Sequence, residues 1–168
     1  MCWILKFKIP LLKEFSFIQF IVWSVKLYNF CPLVFNLELK TNGQKLYEFT
    51  DQTIDWINKN NFNNGILNLS IQHTSASLIV QENADPDVQS DLINYFDKIA
   101  PMDNKLYVHT IEGKDDMPAH IKSALTNNQI SLSIKNKQLL LGTWQGIYLF
   151  EHRLASTKRL IIHHFIGD

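Results

Sequence analysis

The sequence predicts a single α+β domain built from packed antiparallel β-sheets with a few helices. Several short segments alternate apolar and polar residues, which is the pattern of half-buried strands. Three other segments show helical spacing of apolar residues or a proline-marked helix start. From about residue 129 the chain contains four strand-like runs joined by short turns, and strands connected so tightly pair antiparallel.

The first half of the chain predicts the order strand, helix, strand. Residues 34–41 (VFNLELKT) alternate apolar and polar side chains, and Asn42-Gly43 ends that strand. Residues 44–60 place apolar side chains at helical spacing, which predicts one amphipathic helix. Residues 66–72 (ILNLSIQ) predict a half-buried strand, and residues 76–81 continue in extended form.

The second half predicts two more helices and a strand meander. Asp85 is a good N-cap, and Pro86 suits the first position of a helix that Pro101 stops. Residues 105–111 (KLYVHTI) predict a short strand, and residues 115–125 predict another helix. The last four predicted strands are residues 129–135, 137–144, 146–152 and 158–166.

The net charge and the positions of the cysteines exclude some classes of protein. The 168 residues contain 16 basic and 16 acidic side chains, and this zero net charge argues against a nucleic-acid binder. Cys2 and Cys31 both lie in the first 31 residues, so the main body has no disulfide framework and no cysteine-based zinc site. A chain without such disulfides fits a cytoplasmic location.

Residues 1–31 form an atypical apolar extension before a domain predicted to span residues 32–168. The longest uncharged run in the extension, Phe15–Val25, is shorter than the roughly 20 residues that span a bilayer. It also lacks a small-residue cleavage site, so we expect no export signal and no membrane partner. An added helix packed on the domain and a start codon placed too far upstream remain alternative interpretations.

The six histidines divide into two groups. His163 and His164 are neighbours in a strand and therefore point to opposite faces, and His152 lies beside a basic residue in a predicted turn. We interpret these three as structural or solvated.

His73, His109 and His120 come from three different predicted elements. Three imidazoles that meet in this way could bind a divalent metal such as zinc. The alternative is three unrelated histidines that each make one hydrogen bond, because no short-spaced metal motif joins them.

Carboxylates surround both predicted helix starts. Asp85, Asp87 and Asp91 are explained by capping and by favourable interaction with the helix dipole, whereas Glu82 and Asn83 precede the cap and are free to act. A second acidic group lies before the next helix, which one of its members is expected to cap: Glu112, Asp115 and Asp116. Such acids suit magnesium bound together with a phosphorylated substrate.

The segment 142–146 (GTWQG) joins two predicted strands. Trp144 could stack on a heteroaromatic ring, although a tryptophan in such a turn more often packs into the core. Arg153, Lys158 and Arg159 supply cations near one hairpin, where they either bind phosphate or are solvated.

Three long motifs together resemble the YjbQ family, often called secondary thiamine-phosphate synthases. They are HTSASLIVQENADPDVQSDL, EGKDDMPAHIKSAL and LGTWQGIYLFEHR, and the resemblance runs in order from about residue 32 to residue 167. It implies an α+β fold of packed antiparallel sheets and a homotrimer. It also implies a common pocket for His73, His109 and His120. The residues expected near that pocket, some of them from a neighbouring subunit, are Thr74, Ser75, Glu82, Asn83, Asp91, Trp144, Gln145 and Arg159.

The activity implied by the resemblance is the joining of a pyrimidine diphosphate to a thiazole phosphate, as a main or a secondary activity. The catalytic set would then be the three histidines with Glu82 and Asn83. The substrate or phosphate contacts would come from Thr74, Ser75, Asp91, Trp144, Gln145 and Arg159. The cofactor would be a divalent metal, Mg²⁺ or Zn²⁺, on His73, His109 and His120. A metal-dependent hydrolase or lyase using the same histidines, and a non-catalytic ligand- or metal-binding protein, remain alternatives.

Overall fold

The computed structural model describes residues 33–168 as one α+β domain with two antiparallel sheets and three α-helices. The predicted extension over residues 1–31 lies outside the described residues. No helix in the described part of the chain is long and apolar enough to cross a membrane.

The strands and helices have the following bounds. The strands are β1 (Leu33–Asn42), β2 (Lys45–Glu48), β3 (Gly65–Ile71), β4 (Ala76–Glu82), β5 (Gln129–Lys135), β6 (Gln138–Leu139), β7 (Gln145–Glu151) and β8 (Ser156–Gly167). The helices are α1 (Thr50–Asn60), α2 (Pro86–Ile99) and α3 (Asp116–Ala124), with a single 3₁₀ turn at Asn104–Leu106.

The two sheets enclose the main core together with α1. The larger sheet has the strand order β1-β8-β3-β5-β6, and the smaller one has the order β2-β7-β4. Leu67 and Leu69 of β3 are fully buried in one cluster with Leu149 of β7 and the α1 residue Ile57, because alternate residues of each strand face inward. Burial of these side chains supplies the principal driving force for folding.

Both faces of the smaller sheet are buried, which explains the continuous apolar run in β7. Ile147 and Leu149 face the main core, whereas Tyr148 and Phe150 face a second cluster. That second cluster includes the α2 residue Phe96. The helix α2 therefore covers the side of the small sheet that faces away from the large one.

Most of the predicted elements are confirmed. The strands β1, β3, β4, β5, β7 and β8 fall within or close to their predicted ranges. The helix α2 begins at Pro86, and the Asp85 side chain accepts a 2.9 Å hydrogen bond from the Asp87 backbone N–H, as an N-cap does. The backbone N–H of Ala100 closes the helix before Pro101.

The prediction of one helix over residues 44–60 is wrong in its first part. Lys45–Glu48 forms the strand β2, which pairs with β7, and the helix α1 begins only at Thr50. Leu46 lies opposite Phe150 in this ladder. A partner strand about 100 positions away therefore overrides the local helical spacing.

The predicted strand over residues 105–111 is also wrong. Apart from the 3₁₀ turn, this segment is irregular and pairs with no described strand. Its apolar side chains Val108 and Ile111 are 102% and 96% exposed. The predicted strand over residues 137–144 shrinks to the two residues of β6.

Candidate metal centre and adjoining cleft

His109, Asp116 and His120 form a close group of potential metal ligands. One ligand atom from each residue lies within 4.8 Å of the others. The Asp116 Oδ2 atom is 2.7 Å from His109 Nε2 and 3.4 Å from His120 Nε2. The two imidazole rings are 5.7 Å apart between centroids.

The fold brings these three side chains together from a helix and a loop. Asp116 and His120 are four residues apart at the start of α3, so they lie on the same face of that helix. His109 comes from the irregular segment that precedes α3. The Asp116 side chain is only 2% exposed, whereas those of His109 and His120 are 45% and 34% exposed. The group is therefore open to solvent on its imidazole side.

A backbone carbonyl fixes the orientation of the His120 ring. The Nδ1–H of His120 donates to the Thr74 carbonyl oxygen at 3.0 Å, so the neutral ring presents its Nε2 lone pair toward Asp116. A lone pair that faces a carboxylate oxygen is unfavourable unless a proton or a cation lies with them. A carbonyl behind a histidine and an open nitrogen in front of it is the usual environment of a metal-binding imidazole.

The donor set fits a divalent transition metal. Two imidazoles and one carboxylate are common ligands of zinc and of non-haem iron, with further positions left for water or substrate. Magnesium prefers oxygen ligands throughout. The residues present therefore favour Zn²⁺ or a similar ion over Mg²⁺.

A polar cleft of about 410 Å³ adjoins the metal-ligand group through His120. Its lining residues are His73, Thr74, His120, Ser123, Ala124, Thr126 and Asn128. Ser123 Oγ donates to the Ala76 carbonyl oxygen at 3.0 Å, and Thr126 Oγ1 donates to the Lys122 carbonyl oxygen at 2.8 Å. Because both hydroxyl protons are used in this way, these two groups offer the cleft lone pairs that accept hydrogen bonds.

His73 lines the same cleft but lies outside the close ligand group. Its Nδ1 atom is 3.2 Å from Arg159 Nη1, and its Nε2 atom is 3.3 Å from the Leu160 backbone nitrogen. Burial lowers the pKa of His73, and the nearby Arg159 charge lowers it further, while Glu151 opposes the shift. Both effects favour the neutral imidazole, which has a single lone pair, so it can accept a hydrogen bond from only one of these two neighbours.

Arg159 is paired with a buried carboxylate. Its Nε and Nη2 atoms bind the two Glu151 oxygens at 2.7 and 2.6 Å, and Nη2 also donates to Ser75 Oγ at 3.1 Å. Thr41 donates a further 2.9 Å hydrogen bond to the same carboxylate. Glu151 thus neutralises most of the charge that Arg159 would offer an anion.

The remaining predicted site residues gather at the far end of β4. Glu82 ends that strand and lies opposite Gln145 of β7, and the Asn83 backbone N–H donates to the Trp144 carbonyl oxygen at 3.0 Å. Trp144 is 63% exposed rather than packed in the core. At about 3.3 Å a residue along β4, this second group lies about 20 Å from the cleft. Asp91 is exposed on α2.

Sequence reasoning missed two residues of this site. Asp116 counts there only as one of three acids before a helix, although its spacing from His120 places both on one helix face. Glu151 carries no comparable signal, because it is a single acidic residue at the end of a strand, directly after the apolar run of residues 147–150.

Comparison with known proteins identifies the family. The family model described as UPF0047 protein YjbQ-like matches residues 35–168. The chain belongs to this YjbQ-like family.

Curated members of the YjbQ-like family cover most of the chain. The UPF0047 protein sll1880 of Synechocystis sp. is 44% identical over 132 residues, which are 79% of this chain and 90% of that protein. The UPF0047 protein YjbQ of Escherichia coli O157:H7 is 39% identical over 133 residues, covering 79% of this chain and 96% of its own length.

Solved structures agree with the YjbQ-like fold. The conserved hypothetical protein TT1486 from Thermus thermophilus superposes with a TM-score of 0.69 at 29% identity, over 76% of this chain and 97% of that one. The hypothetical protein APE1520 from Aeropyrum pernix K1 has a TM-score of 0.74 at 20% identity, over 81% and 99% of the two chains, and supports the fold alone. The family match over residues 35–168 includes both groups of predicted site residues.

Proposed function

We propose that this chain is a divalent-metal enzyme that acts on a small phosphorylated substrate. The proposed reaction is the thiamine-phosphate synthase type of transfer, in which a pyrimidine diphosphate is joined to a thiazole phosphate and pyrophosphate leaves. The proposal includes the case in which this transfer is a secondary activity. The observation that carries it is the close group His109, Asp116 and His120 at the edge of a polar cleft, in which Asp116 and His120 belong to a motif that resembles synthases of this type and His109 lies just before it.

Some residues of the chain would bind the metal, and others would orient the substrate. A bound divalent metal would supply positive charge for the departing pyrophosphate. His109, Asp116 and His120 would hold it, and the Thr74 carbonyl would keep the His120 ring in place. Ser123 and Thr126 would accept hydrogen bonds from amino groups on a heterocyclic substrate.

His73 is proposed to act as a neutral hydrogen-bond partner at the other side of the substrate. Its lowered pKa favours the neutral ring, which has one N–H and one lone pair for hydrogen bonds. Its contacts to Arg159 and to the Leu160 backbone fix the plane of the ring. The set of metal ligands expected from the sequence then changes in one respect, because Asp116 is a better candidate for the third ligand than His73.

We further propose that the enzyme is a homotrimer located in the cytoplasm. Glu82, Asn83, Trp144 and Gln145 are about 20 Å from the cleft of their own chain. They would reach a cleft only from a neighbouring subunit, where Asp91 could join them. The cytoplasmic location is supported by the absence of cysteine from residues 32–168.

A metal-dependent hydrolase or lyase is the second candidate. It is favoured by the imidazole-rich donor set, because zinc held by two histidines and a carboxylate commonly activates water. Firmly retained zinc would favour this candidate, whereas a loosely held metal needed only during the assay would favour the transferase. Saturable binding without turnover would indicate a non-catalytic binding protein.

A coupling assay tests the proposed transfer. Wild type would be purified from a host that lacks its own thiamine-phosphate synthase and supplied with both substrates and either Mg²⁺ or Zn²⁺. We expect thiamine phosphate from wild type and a loss of more than about 100-fold in Asp116→Asn and His120→Ala, since losing a ligand should cost more than losing an outer-shell partner. His73→Ala should also lose activity while it retains metal.

The matched control is Asp55→Asn, which makes the same chemical change at an exposed position of α1. It should retain wild-type activity. No thiamine phosphate from wild type, or equal product from wild type and the Asp116 and His120 variants, would refute the transfer. Release of phosphate in the same samples would then support the hydrolase.

A further inference from the structure

Arg153 contacts three separate groups of the loop that leads into α3. Its Nε atom donates to Asp115 Oδ2 at 3.0 Å, and its Nη2 atom donates to the Glu112 carbonyl oxygen at 2.9 Å. Its Nη1 atom donates to Asp116 Oδ1. From the turn between β7 and β8, one guanidinium group therefore holds the Glu112 backbone and the carboxylates of Asp115 and Asp116.

These contacts leave one Asp116 oxygen for the histidines. Arg153 occupies Oδ1, while Oδ2 faces His109 and His120. With the side chain 2% exposed, a carboxylate at this position would be costly to bury without such a partner. Arg153 thus neutralises the buried charge of Asp116 and leaves Oδ2 as the oxygen that faces the two histidines.

Arg153 is itself held by the buried ion pair beside His73. Its backbone N–H donates to Glu151 Oε1 at 3.0 Å, and the same oxygen accepts from Arg159 Nη2 at 2.6 Å. Arg159 in turn contacts His73. A continuous set of contacts therefore runs from the metal-ligand group through Arg153 to the other histidine of the cleft.

We propose that Arg153 is a positioning residue that sets the geometry of a metal held by His109, Asp116 and His120. This inference rests on the metal centre of the proposed function and deepens it. Lysine cannot replace Arg153 in this role, because a single ammonium group cannot reach three acceptors that lie in the separate directions matched by a planar guanidinium.

Cobalt binding tests the proposal without any substrate. Co²⁺ would be titrated into the metal-free full chain, and its affinity and visible absorption spectrum would be recorded. We expect Arg153→Lys to lower the affinity by about 10- to 100-fold, the usual effect of losing an outer-shell partner, and to shift the absorption bands as the ligand geometry changes. A purely structural role would lower the thermal unfolding temperature without shifting the bands of the bound ion.

Two further variants complete the test. Lys158→Gln removes an exposed ion pair with Glu38 and should leave both cobalt readouts unchanged. Asp115→Ala removes one anchor of Arg153 and should give a smaller loss of affinity with a shift in the same direction. If Arg153→Lys does not fold, the Asp115→Ala variant provides the test. Unchanged cobalt affinity and an unchanged spectrum in Asp115→Ala would then overturn the proposal.

The outcomes separate this inference from the proposed function. Wild type that binds Co²⁺ through Asp116, with Arg153→Lys unchanged in affinity and spectrum, would overturn the positioning role and leave the metal centre intact. Wild type that binds no Co²⁺, or that binds it equally after Asp116→Asn, would overturn both.

Discussion

His163 is a buried neutral histidine at the centre of an aromatic cluster. Its ring packs edge-on against Phe35, Phe49 and Trp56. Thr53 Oγ1 donates to the Phe49 carbonyl oxygen, so the 3.0 Å contact with His163 Nε2 is a hydrogen bond donated by the histidine. The opposite nitrogen, Nδ1, has no partner among the described residues. Burial lowers the pKa of His163 to about 4.

This depressed pKa predicts a loss of stability in mild acid. The unfolded chain takes up the proton near pH 6.5, whereas the folded chain resists it down to about pH 4. The contribution of His163 is therefore present above pH 6.5 and is lost as the pH falls toward 4. We expect it to account for about 2–3 kcal/mol of unfolding free energy, measured by urea denaturation across this range.

His163→Phe is the variant that checks this assignment. It keeps an aromatic ring in the cluster and removes the titrating group, so the decrease between pH 6.5 and 4 should become smaller. Some decrease should remain, because burial also lowers the pKa of His152, to about 3. The same pH dependence in wild type and His163→Phe would contradict the assignment.

The individual residues of the site could be predicted only in part. His109 and His120 could be singled out, together with His73, because the three come from different predicted elements and their imidazoles could meet at a metal. Asp116 could have been added from its four-residue spacing to His120, but its contact with Arg153 joins positions 37 residues apart and leaves no local pattern. The buried partner of Arg159, Glu151, is likewise identified only by tertiary packing.

Gly65 shows how closely two elements approach one another. It begins β3 opposite Gly167 of β8. A Cβ atom on Gly65 would lie 2.8 Å from the Gly167 Cα atom and would overlap the Ile166 carbonyl oxygen. Because the obstacle is backbone, it cannot move aside as the end of a long side chain can.

We therefore expect Gly65→Ala to destabilise the fold. The strands β3 and β8 of the large sheet would have to separate, at a cost of about 1–3 kcal/mol in unfolding free energy, measured by urea denaturation. The matched control is Gly142→Ala, whose new methyl would meet only the flexible Gln145 side chain at 3.3 Å. Its effect should stay within about 0.5 kcal/mol, and equal effects of the two changes would disprove the backbone contact.

Elements with strong local signals could be predicted, and those decided by distant partners could not. The cap and proline at Asp85 and Pro86 locate the start of α2. By contrast, Lys45–Glu48 becomes a strand only because β7 offers it a partner. Residues 105–111 carry a strand-like alternation, but they have no partner within the described part of the molecule and therefore remain irregular.

At the scale of the whole molecule, the proposed homotrimer predicts the mass of the particle. Sedimentation equilibrium should give three times the chain mass. The exposed side chains of Val108 and Ile111, on the segment that carries His109, favour burial against a neighbouring subunit. Replacing both with serine should weaken assembly, whereas serine at the exposed Leu140 that follows β6 should not.

A wild-type particle with the mass of one chain would rule out the trimer. It would also leave Glu82, Asn83, Trp144 and Gln145 without a route to the cleft. The metal-ligand group would be unaffected by that result, because all three of its residues belong to one chain.

The pairing of β1 with β8 has a consequence for synthesis on the ribosome. Leu33 lies opposite Phe165, and in the described sheets β1 pairs with β8 alone. Strand β8 also lies between β1 and β3, so the large sheet cannot close until β8 has emerged from the exit tunnel. Until then the backbone groups of β1 are unpaired and its apolar side chains are uncovered, which is the stage of greatest exposure to chaperones and to aggregation.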